Sequence, residues 1–389
     1  MYYVHIPKTT IMEKTVEIVL PRSILTENGD GVLQLRIRFA GEEHSEATRQ
    51  EGDDFLTLAT NYLGEKSFGE NYRRGILSLL RTLVRYERYR RLIRKDGFRL
   101  NLHTMGRSDV EDFRRYLCNE AVLAARYPRA FRTTRYPPLL RRERQYHIAP
   151  RGANTVTKYM KHFATMYQWL QHNGLTENDP FRGLATGGEH YGTPFYLTVE
   201  ERNRVADFDL AARPDLAVQR DIFVFQCLVG CRVGDLLHLT QENVADGMLL
   251  YEPQKTRHLG HTVLVKVPLG QRAMHLIRRY GSRDGDGRLF PFIAARTYNA
   301  AIREVLRTCG IDRRVMVRNP KTGMQEMRPI CDVASSHMAR RTFVGATYRV
   351  VKDPAIVGRM SGHADGSRAF ARYRNIDEDV LREVIEKIE

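Results

Sequence analysis

The stretch SHMARRTF, residues 336–343, decides how this chain of 389 residues is interpreted. Its pattern predicts a helix on which His337 and Arg340, three residues apart, share one face and can reach the same anionic group. Toward the C-terminus, the segment MSGH ends at His363 and the segment FARYR contains Tyr373. Arginine and histidine with a following tyrosine indicate chemistry on a phosphate, with the tyrosine as candidate nucleophile.

The composition is that of a soluble globular protein, with 42% apolar and 28% charged residues. No apolar run approaches the roughly 18 residues that a membrane helix needs, so we expect no membrane partner. The N-terminus lacks the charged and then apolar pattern of a secretion signal, which favours a cytoplasmic, nucleoid-associated protein. The net charge of +16 comes mostly from arginine and makes nucleic acid the first partner to consider, against the alternative of a solubilising basic surface.

Metal binding and disulfides are not predicted. The five cysteines include no CxxC pair and indicate reduced thiols. Cys227 and Cys231 are four residues apart, but without a second pair they are interpreted as small buried apolar residues. His258 and His261 lack matching ligands at useful spacing, so we expect neither a metal nor another cofactor.

Residues 1–64 form a predicted accessory region that contains a β-hairpin. Two alternating runs, residues 15–20 and 33–39, flank the turn sequence NGDG. The hairpin is either a small DNA-binding unit or a packing element of the next domain.

Residues 65–185 are predicted to form a small helical domain. Apolar stripes with helical spacing begin after residues 71, 108 and 154, and the second follows a predicted capping box of Ser108 and Glu111. Residues 126–151 lack a period and contain eight arginines, which indicates an exposed basic arm or a loop that lies over DNA phosphates. Residues 179–194 contain four glycines and are interpreted as an interdomain linker.

Residues 186–389 form the predicted second domain, which opens on a capping box of Thr198 and Glu201. A helix is expected over residues 222–239, with Arg232 inside its apolar stretch and Asp235 available to pair with it as a purely structural alternative. Two strands, residues 248–251 and 262–267, would form an antiparallel sheet with Lys255 near its turn.

The rest of this domain is predicted to be mostly helical, with a turn at residues 319–323. The last segment, residues 376–389, has a helical apolar pattern. It is expected to dock on a neighbouring protomer, with packing within its own chain as the alternative.

The chain resembles the tyrosine recombinase (phage integrase) family, most specifically over residues 195–380. The matching segments are GCRVGDLLHL at 230–239, HMARRTF at 337–343, and SGH at 361–363 followed by Tyr373, ten residues after His363. The segment PFYLT at 194–198 and the Lys-Thr pair look like integrases of Bacteroidetes mobile elements. The resemblance implies a catalytic residue set of Arg232, Lys255, His337, Arg340, His363 and Tyr373.

The resemblance also implies a mainly α fold with a small antiparallel β-sheet, arranged as a two-domain DNA clamp. Residues 65–185 would be a helical core-binding (SAM-like) DNA-binding domain, and residues 186–389 the catalytic domain. The implied reaction is site-specific recombination through a 3′-phosphotyrosyl intermediate, for integration or excision of a mobile element. The implied partners are double-stranded DNA, three further copies in a homotetramer at synapsis, and accessory DNA-bending proteins.

Each residue of the set has an implied role. Arg232 and Arg340 would hold the nonbridging oxygens, while Tyr373 attacks and Lys255 protonates the leaving 5′ oxygen. His337 would donate to the phosphate or move the proton of the nucleophile, and His363 would hold the phosphate and position the tyrosine.

Three alternatives remain at the level of sequence. Tyr348 could replace Tyr373 as nucleophile, although it lies in the middle of the segment after Arg340. A type IB topoisomerase uses a similar constellation, but relaxes DNA as a monomer. A DNA-binding regulator without catalysis could share the same scaffold.

Overall fold

The computed structural model describes residues 55–65, 68–141, 147–254, 264–281, 287–363 and 385. All of them belong to one compact unit, Gln50–Glu389. The predicted N-terminal strands, Lys255, the pair His258 and His261, Tyr373, and the C-terminal segment apart from Ile385 lie outside the described residues.

The first half of the described chain is helical. Its helices are α1 (Phe55–Glu65), α2 (Glu70–Tyr89), α3 (Arg107–Arg126), α4 (Pro128–Arg132) and α5 (Ala153–His172), and a π-helical turn, Arg90–Arg94, extends α2. Helix α5 packs against α1, α2 and α3. At the centre of this core, the ring of Phe163 makes edge contacts with Phe55, Phe113 and Phe181, with centroids 5.2–6.1 Å apart. The predicted stripes of α2, α3 and α5 are therefore buried in one core.

The predicted capping box of α3 is wrong by two residues, because the observed box is formed by Gly106 and Asp109. The helix starts at Arg107, and the carboxylate of Asp109 accepts from the backbone N–H of Gly106 at 3.0 Å. Asp109 takes the place of Glu111 because it occupies the third helical position. Glu111 pairs instead with Arg107 on the helix surface.

The arginine-rich arm is held against α2 over its described part. Three arginines, at successive turns of α2, reach it: Arg81 Nε donates to the Leu140 carbonyl at 2.8 Å, and Arg88 Nε to the Ala130 carbonyl at 2.7 Å. Between them, Arg85 donates to the Tyr136 hydroxyl at 3.1 Å. The arm therefore lies on the helical core, and the side chains that remain exposed on it include Arg126, Arg129, Arg132, Arg135 and Arg141.

The second half of the described chain surrounds a separate apolar core. Its helices are α6 (Val199–Asp207), α7 (Pro214–Val229), α8 (Val233–Leu236), α9 (Gln271–Tyr280), α10 (Ala295–Thr308), α11 (Ile330–Val333), α12 (Ser336–Val351) and α13 (Pro354–Ser361). Residues 219–227 of α7 are all buried, so this helix is the centre of the core, and α10 and α12 pack along it. The capping box at the start of α6 is confirmed, because Thr198 and Glu201 each accept the backbone N–H of the other.

Two small antiparallel sheets complete this half. The first contains β1 (Val244–Ala245), β2 (Met248–Tyr251) and β3 (Val265–Pro268) in that order. Its buried face pairs Leu249 with Val267 and Tyr251 with Val265. The second sheet is the hairpin of β4 (Arg314–Arg318) and β5 (Gln325–Pro329). The expected turn at residues 319–323 joins these strands, which sequence reasoning did not assign.

The expected helix over residues 222–239 is wrong in its second half. Helix α7 ends at Val229 because Gly230 adopts a left-handed conformation with φ of +68°. Arg232 thus lies in the N-cap position of α8 instead of inside an apolar helix.

A buried ionic group joins three parts of the helical half. Glu120 of α3 is 0% exposed. Its Oε1 accepts from Arg85 Nε at 2.6 Å and from the Tyr116 hydroxyl at 3.0 Å, and its Oε2 pairs with Arg151 just before α5. Burial alone would raise the pKa of Glu120, but the two guanidinium groups outweigh burial and lower it.

Replacing Glu120 with glutamine should reduce the free energy of unfolding by about 3–5 kcal/mol at pH 7, because two buried cations lose their counterion. The folded-state pKa of Glu120 lies below its unfolded value, so the carboxylate contributes fully above about pH 4.5. That contribution is lost as the pH falls through the folded-state pKa. Urea unfolding measures the free energy of unfolding of both proteins at pH 7 and at acid pH. The difference between the variant and wild type should be smaller at acid pH.

Glu70→Gln is the matched control, since Glu70 pairs with Arg74 on the exposed surface of α2. Its unfolding curve should coincide with that of wild type. Equal losses in the Glu70 and Glu120 variants would contradict the buried-ion explanation.

Candidate active site

Arg232 is positioned by a turn whose backbone is anchored inside the core. After α7 ends, the carbonyl of Cys231 accepts a hydrogen bond from Gln226 Nε2 at 3.0 Å. The amide oxygen of Gln226 accepts in turn from the Tyr298 hydroxyl of α10 at 3.1 Å. Because all these groups are buried and paired, the turn that carries Arg232 has one well-defined shape.

Arg340 extends from α12, whose first turn is capped by another helix. The side-chain oxygen of Asn299, on α10, accepts from the backbone N–H of Ser336 at 2.7 Å. One turn later, Arg340 is 1% exposed and its Nη1 donates to the Gly230 carbonyl at 2.9 Å. This bond places the Arg340 guanidinium beside the turn that carries Arg232.

The chain segment before α6 crosses α12 and fixes its position. The backbone N–H of Leu197 donates to Thr342 Oγ1 at 3.0 Å. The ring of Tyr196 packs against Gly345 so closely that a Cβ there would be 3.0 Å from its nearest atom, and the Arg341 guanidinium carbon lies 5.3 Å from the ring centre of Phe195. The PFYLT segment thus packs across α12, the helix that carries Arg340.

His363 follows α13 and faces both arginine segments. Asp353 caps the start of α13 by accepting from the Ala355 N–H at 2.7 Å. At its end, Gly362 turns with φ of +64°, and its carbonyl accepts from Arg232 Nη2 at 3.2 Å. Arg340 Nη2 lies 3.2 Å from each ring nitrogen of His363.

Asp235 links Arg232 to the sheet. Its Oδ1 accepts from the backbone N–H of Gln254 at 2.9 Å, which anchors the residue directly before Lys255. Its Oδ2 is 3.9 Å from Arg232 Nη1, too far for a hydrogen bond. Within the described residues, both atoms are buried and without a hydrogen-bond partner. Asp235 thus offsets the charge of Arg232 without occupying that nitrogen.

The cysteines of this region are not reactive groups. Burial raises the pKa of the Cys227 thiol to about 12 and that of Cys231 well above its usual range, so both are protonated near neutral pH. Among the described residues, no group of three or more His, Cys, Asp or Glu side chains is arranged to hold a metal ion.

The structure brings together three of the six predicted site residues. Arg232, Arg340 and His363 come from segments more than one hundred residues apart at their extremes and join through the carbonyls of Gly230 and Gly362. His337 is exposed on α12, one turn before Arg340.

No family model and no curated protein sequence matches the chain. Solved structures do match. A lambda integrase dimer bound to a core site has a TM-score of 0.54 at 12% identity, covering 83% of this chain and 96% of the other. A lambda integrase tetramer bound to a Holliday junction has a TM-score of 0.51 at 12% identity, covering 87% and 83%. The Tn1549 transposon integrase in complex with circular intermediate DNA has a TM-score of 0.51 at 13% identity, covering 86% and 99%.

The chain shares the fold of these integrases. The predicted fold class, mainly helical with small antiparallel sheets, is thereby confirmed. Among the described residues no helix is both long and apolar enough to cross a membrane.

Sequence reasoning missed several groups that hold the site of this integrase fold together. Gly230 could have been found, since glycine after an apolar helical run is a common stop signal. No such signal was available for Gln226, Asn299 and Ser361. The first two bond to partners distant in sequence, Tyr298 and Ser336. The contact of Ser361 with His363 depends on the rotamers of both side chains.

Gly230→Ala should destabilise the protein and disturb the site. A Cβ at this position would lie 2.2 Å from the Phe343 ring, in addition to the cost of a left-handed backbone. We expect about 3 kcal/mol of lost stability from the two effects together, measured by chemical denaturation.

Gly310→Ala is the matched control for this variant. Gly310 has a similar φ of +66°, but a Cβ there has no neighbour within 4 Å. It should cost only about 1 kcal/mol from the backbone. Equal costs for the two variants would show that contact with Phe343 is unimportant.

Proposed function

We propose that this protein is a site-specific DNA recombinase or integrase that cleaves and rejoins strands through a 3′-phosphotyrosyl intermediate, for integration or excision of a mobile element. The observation that carries the proposal is the convergence of Arg232, Arg340 and His363 in one place. The shared fold with integrases whose structures were solved in complex with DNA supports it.

The two arginines have donors suited to a phosphate. Arg232 Nη1 is buried and has no hydrogen-bond acceptor within the described residues, and buried guanidinium N–H groups without an acceptor are rare. The Arg232 side chain as a whole is 25% exposed, so a nonbridging phosphate oxygen can reach its guanidinium group and supply an acceptor. Arg340 is held by a neutral carbonyl, which satisfies an N–H without cancelling the positive charge. Fixed cations of this kind stabilise the negative charge that develops on phosphorus oxygens during displacement.

The remaining groups are assigned by their place in the sequence. Tyr373 attacks the phosphorus and forms the 3′-phosphotyrosyl bond, while the 5′ oxygen leaves with a proton from Lys255. The bond between Asp235 and the Gln254 N–H supports the role of Lys255, because it anchors the residue directly before the lysine. His337 donates to the phosphate or moves the proton of Tyr373. The reaction as written requires neither a metal nor a nucleotide.

Double-stranded DNA is the proposed substrate, held by a clamp of two domains. The net charge of +16 and the exposed arginines on the arm support binding to phosphates by the core-binding domain, residues 65–185. The catalytic domain, residues 186–389, would close on the duplex from the other side, with residues 1–64 as an accessory region.

Exchange between two sites needs four copies, so we propose a homotetramer at synapsis, aided by DNA-bending proteins and acting at the nucleoid. Lambda integrase has been crystallised as a tetramer on a Holliday junction. Residues 376–389 are proposed to dock on the neighbouring copy.

Tyr373→Phe should bind DNA normally but form no covalent adduct, because it lacks the attacking oxygen. A nicked cognate site traps the wild-type adduct, which denaturing electrophoresis detects and peptide mapping locates. Tyr348→Phe, at the alternative tyrosine, should form the adduct at the wild-type rate.

The other outcomes of this experiment identify the rivals. Loss of the adduct in Tyr348→Phe alone would move the nucleophile to Tyr348. An adduct that relaxes supercoils without exchange between two sites would favour a type IB topoisomerase. Failure of the wild-type protein to form any adduct would favour a DNA-binding regulator.

Truncation after residue 374 should leave binding to a single site intact but prevent assembly of the four-copy complex, if the tail docks between protomers. Native electrophoresis with one and with two DNA sites separates these steps. Normal assembly and recombination by the truncated protein would show that the tail packs within its own chain.

A further inference from the structure

Ser361, the last residue of α13, is a completely buried hydroxyl beside the candidate site. Its Oγ lies 2.6 Å from the carbonyl oxygen of Val357, one turn earlier in the same helix. The same Oγ lies 2.7 Å from Nδ1 of His363. Both distances are those of good hydrogen bonds.

The donors and acceptors that these groups carry determine the direction of each hydrogen bond. A carbonyl oxygen can only accept, so the single hydroxyl hydrogen of Ser361 must point to Val357. With its hydrogen directed to Val357, Ser361 can offer only a lone pair of Oγ to His363 Nδ1. Nδ1 must therefore carry a hydrogen and donate it to Ser361.

The bond to Ser361 also determines the state of the second ring nitrogen, Nε2 of His363. In a neutral imidazole with hydrogen on Nδ1, Nε2 has the lone pair, and Arg340 Nη2 lies 3.2 Å from it as a donor.

We propose that Ser361 is a positioning residue that holds His363 in the Nδ1–H tautomer and in one ring orientation, so that Nε2 accepts a hydrogen bond from Arg340 Nη2 and keeps that guanidinium oriented toward the substrate phosphate. This consequence for the phosphate rests on the proposed function, whereas the tautomer itself does not. Without Ser361, the ring would exchange between two tautomers and two flipped orientations, and only part of the population would present the required nitrogen. The loss of one hydrogen bond of this kind corresponds to a change of about tenfold.

Three variants isolate the hydroxyl. Ser361→Ala removes only Oγ, and Ser361→Thr keeps a hydroxyl at the same position. Thr60→Val is the matched control, because Thr60 Oγ1 also bonds a carbonyl one turn earlier, that of Leu56 at 2.7 Å, but in α1 of the helical half. Circular dichroism and thermal melting establish that each variant is folded.

The direct measurement is the long-range proton–nitrogen NMR pattern of the DNA-free protein labelled with ¹⁵N-histidine, in which His363→Gln identifies the signals of residue 363. Wild type and Ser361→Thr should show Nδ1–H, and Ser361→Ala should shift toward Nε2–H. Thr60→Val should match wild type. A wild-type ring protonated on Nε2, or the same pattern in Ser361→Ala and wild type, would overturn the proposal. This readout does not depend on any reaction.

The second measurement is the rate of covalent adduct formation on a nicked cognate site at saturating protein. Ser361→Ala should be slower by about tenfold with unchanged DNA affinity, and Ser361→Thr should recover most of the rate. An unchanged rate despite a shifted tautomer would refute the role of the His363 tautomer in orienting Arg340 for the reaction. Absence of any wild-type adduct would instead refute the recombinase function and leave the tautomer result standing.

Discussion

The hydrogen bond from Arg340 to the Gly230 carbonyl is the contact on which the site depends. A guanidinium group with 1% exposure costs several kcal/mol to bury unless its N–H groups find acceptors. The Gly230 carbonyl can approach to 2.9 Å only because residue 230 has no side chain and Phe343, one turn after Arg340, fills that space. A glycine at residue 230 is therefore required twice. It allows α7 to pack closely against α12, and it lets the Gly230 carbonyl reach the buried Arg340.

This requirement also explains the type of acceptor. A carboxylate opposite Arg340 would bind more strongly and neutralise the charge that a phosphate needs. A backbone carbonyl pairs with the N–H and leaves the positive charge in place. The imidazole of His363 at 3.2 Å has a similar effect, since a neutral ring nitrogen accepts without adding negative charge. Arg340 can thus be buried in the core and still keep its positive charge.

Much of this arrangement could be predicted from periodicity and local signals. The stripes of α2, α3 and α5, the capping box of Thr198 and Glu201, and strand β2 all depend on residues close in sequence. The helix that was expected to run through Arg232 failed because an apolar period continues past Gly230, while the backbone does not. Helix α1, the hairpin of β4 and β5, and the binding of the arginine-rich arm to α2 were not predicted. Their stability comes from contacts between distant segments, which local patterns do not encode.

The left-handed turn at Gly362 has a mechanical consequence. A Cβ at this residue would lie 2.9 Å from Val265 and 3.2 Å from Pro253, so the backbone before His363 packs closely against residues on either side of the segment that contains Lys255. Neither Pro253 nor Val265 has room to move toward Gly362, whose carbonyl also accepts from Arg232. A shift of either residue in that direction would reach Arg232 and His363 together through van der Waals contact. The sheet and the end of α13 are thus mechanically coupled at a single glycine.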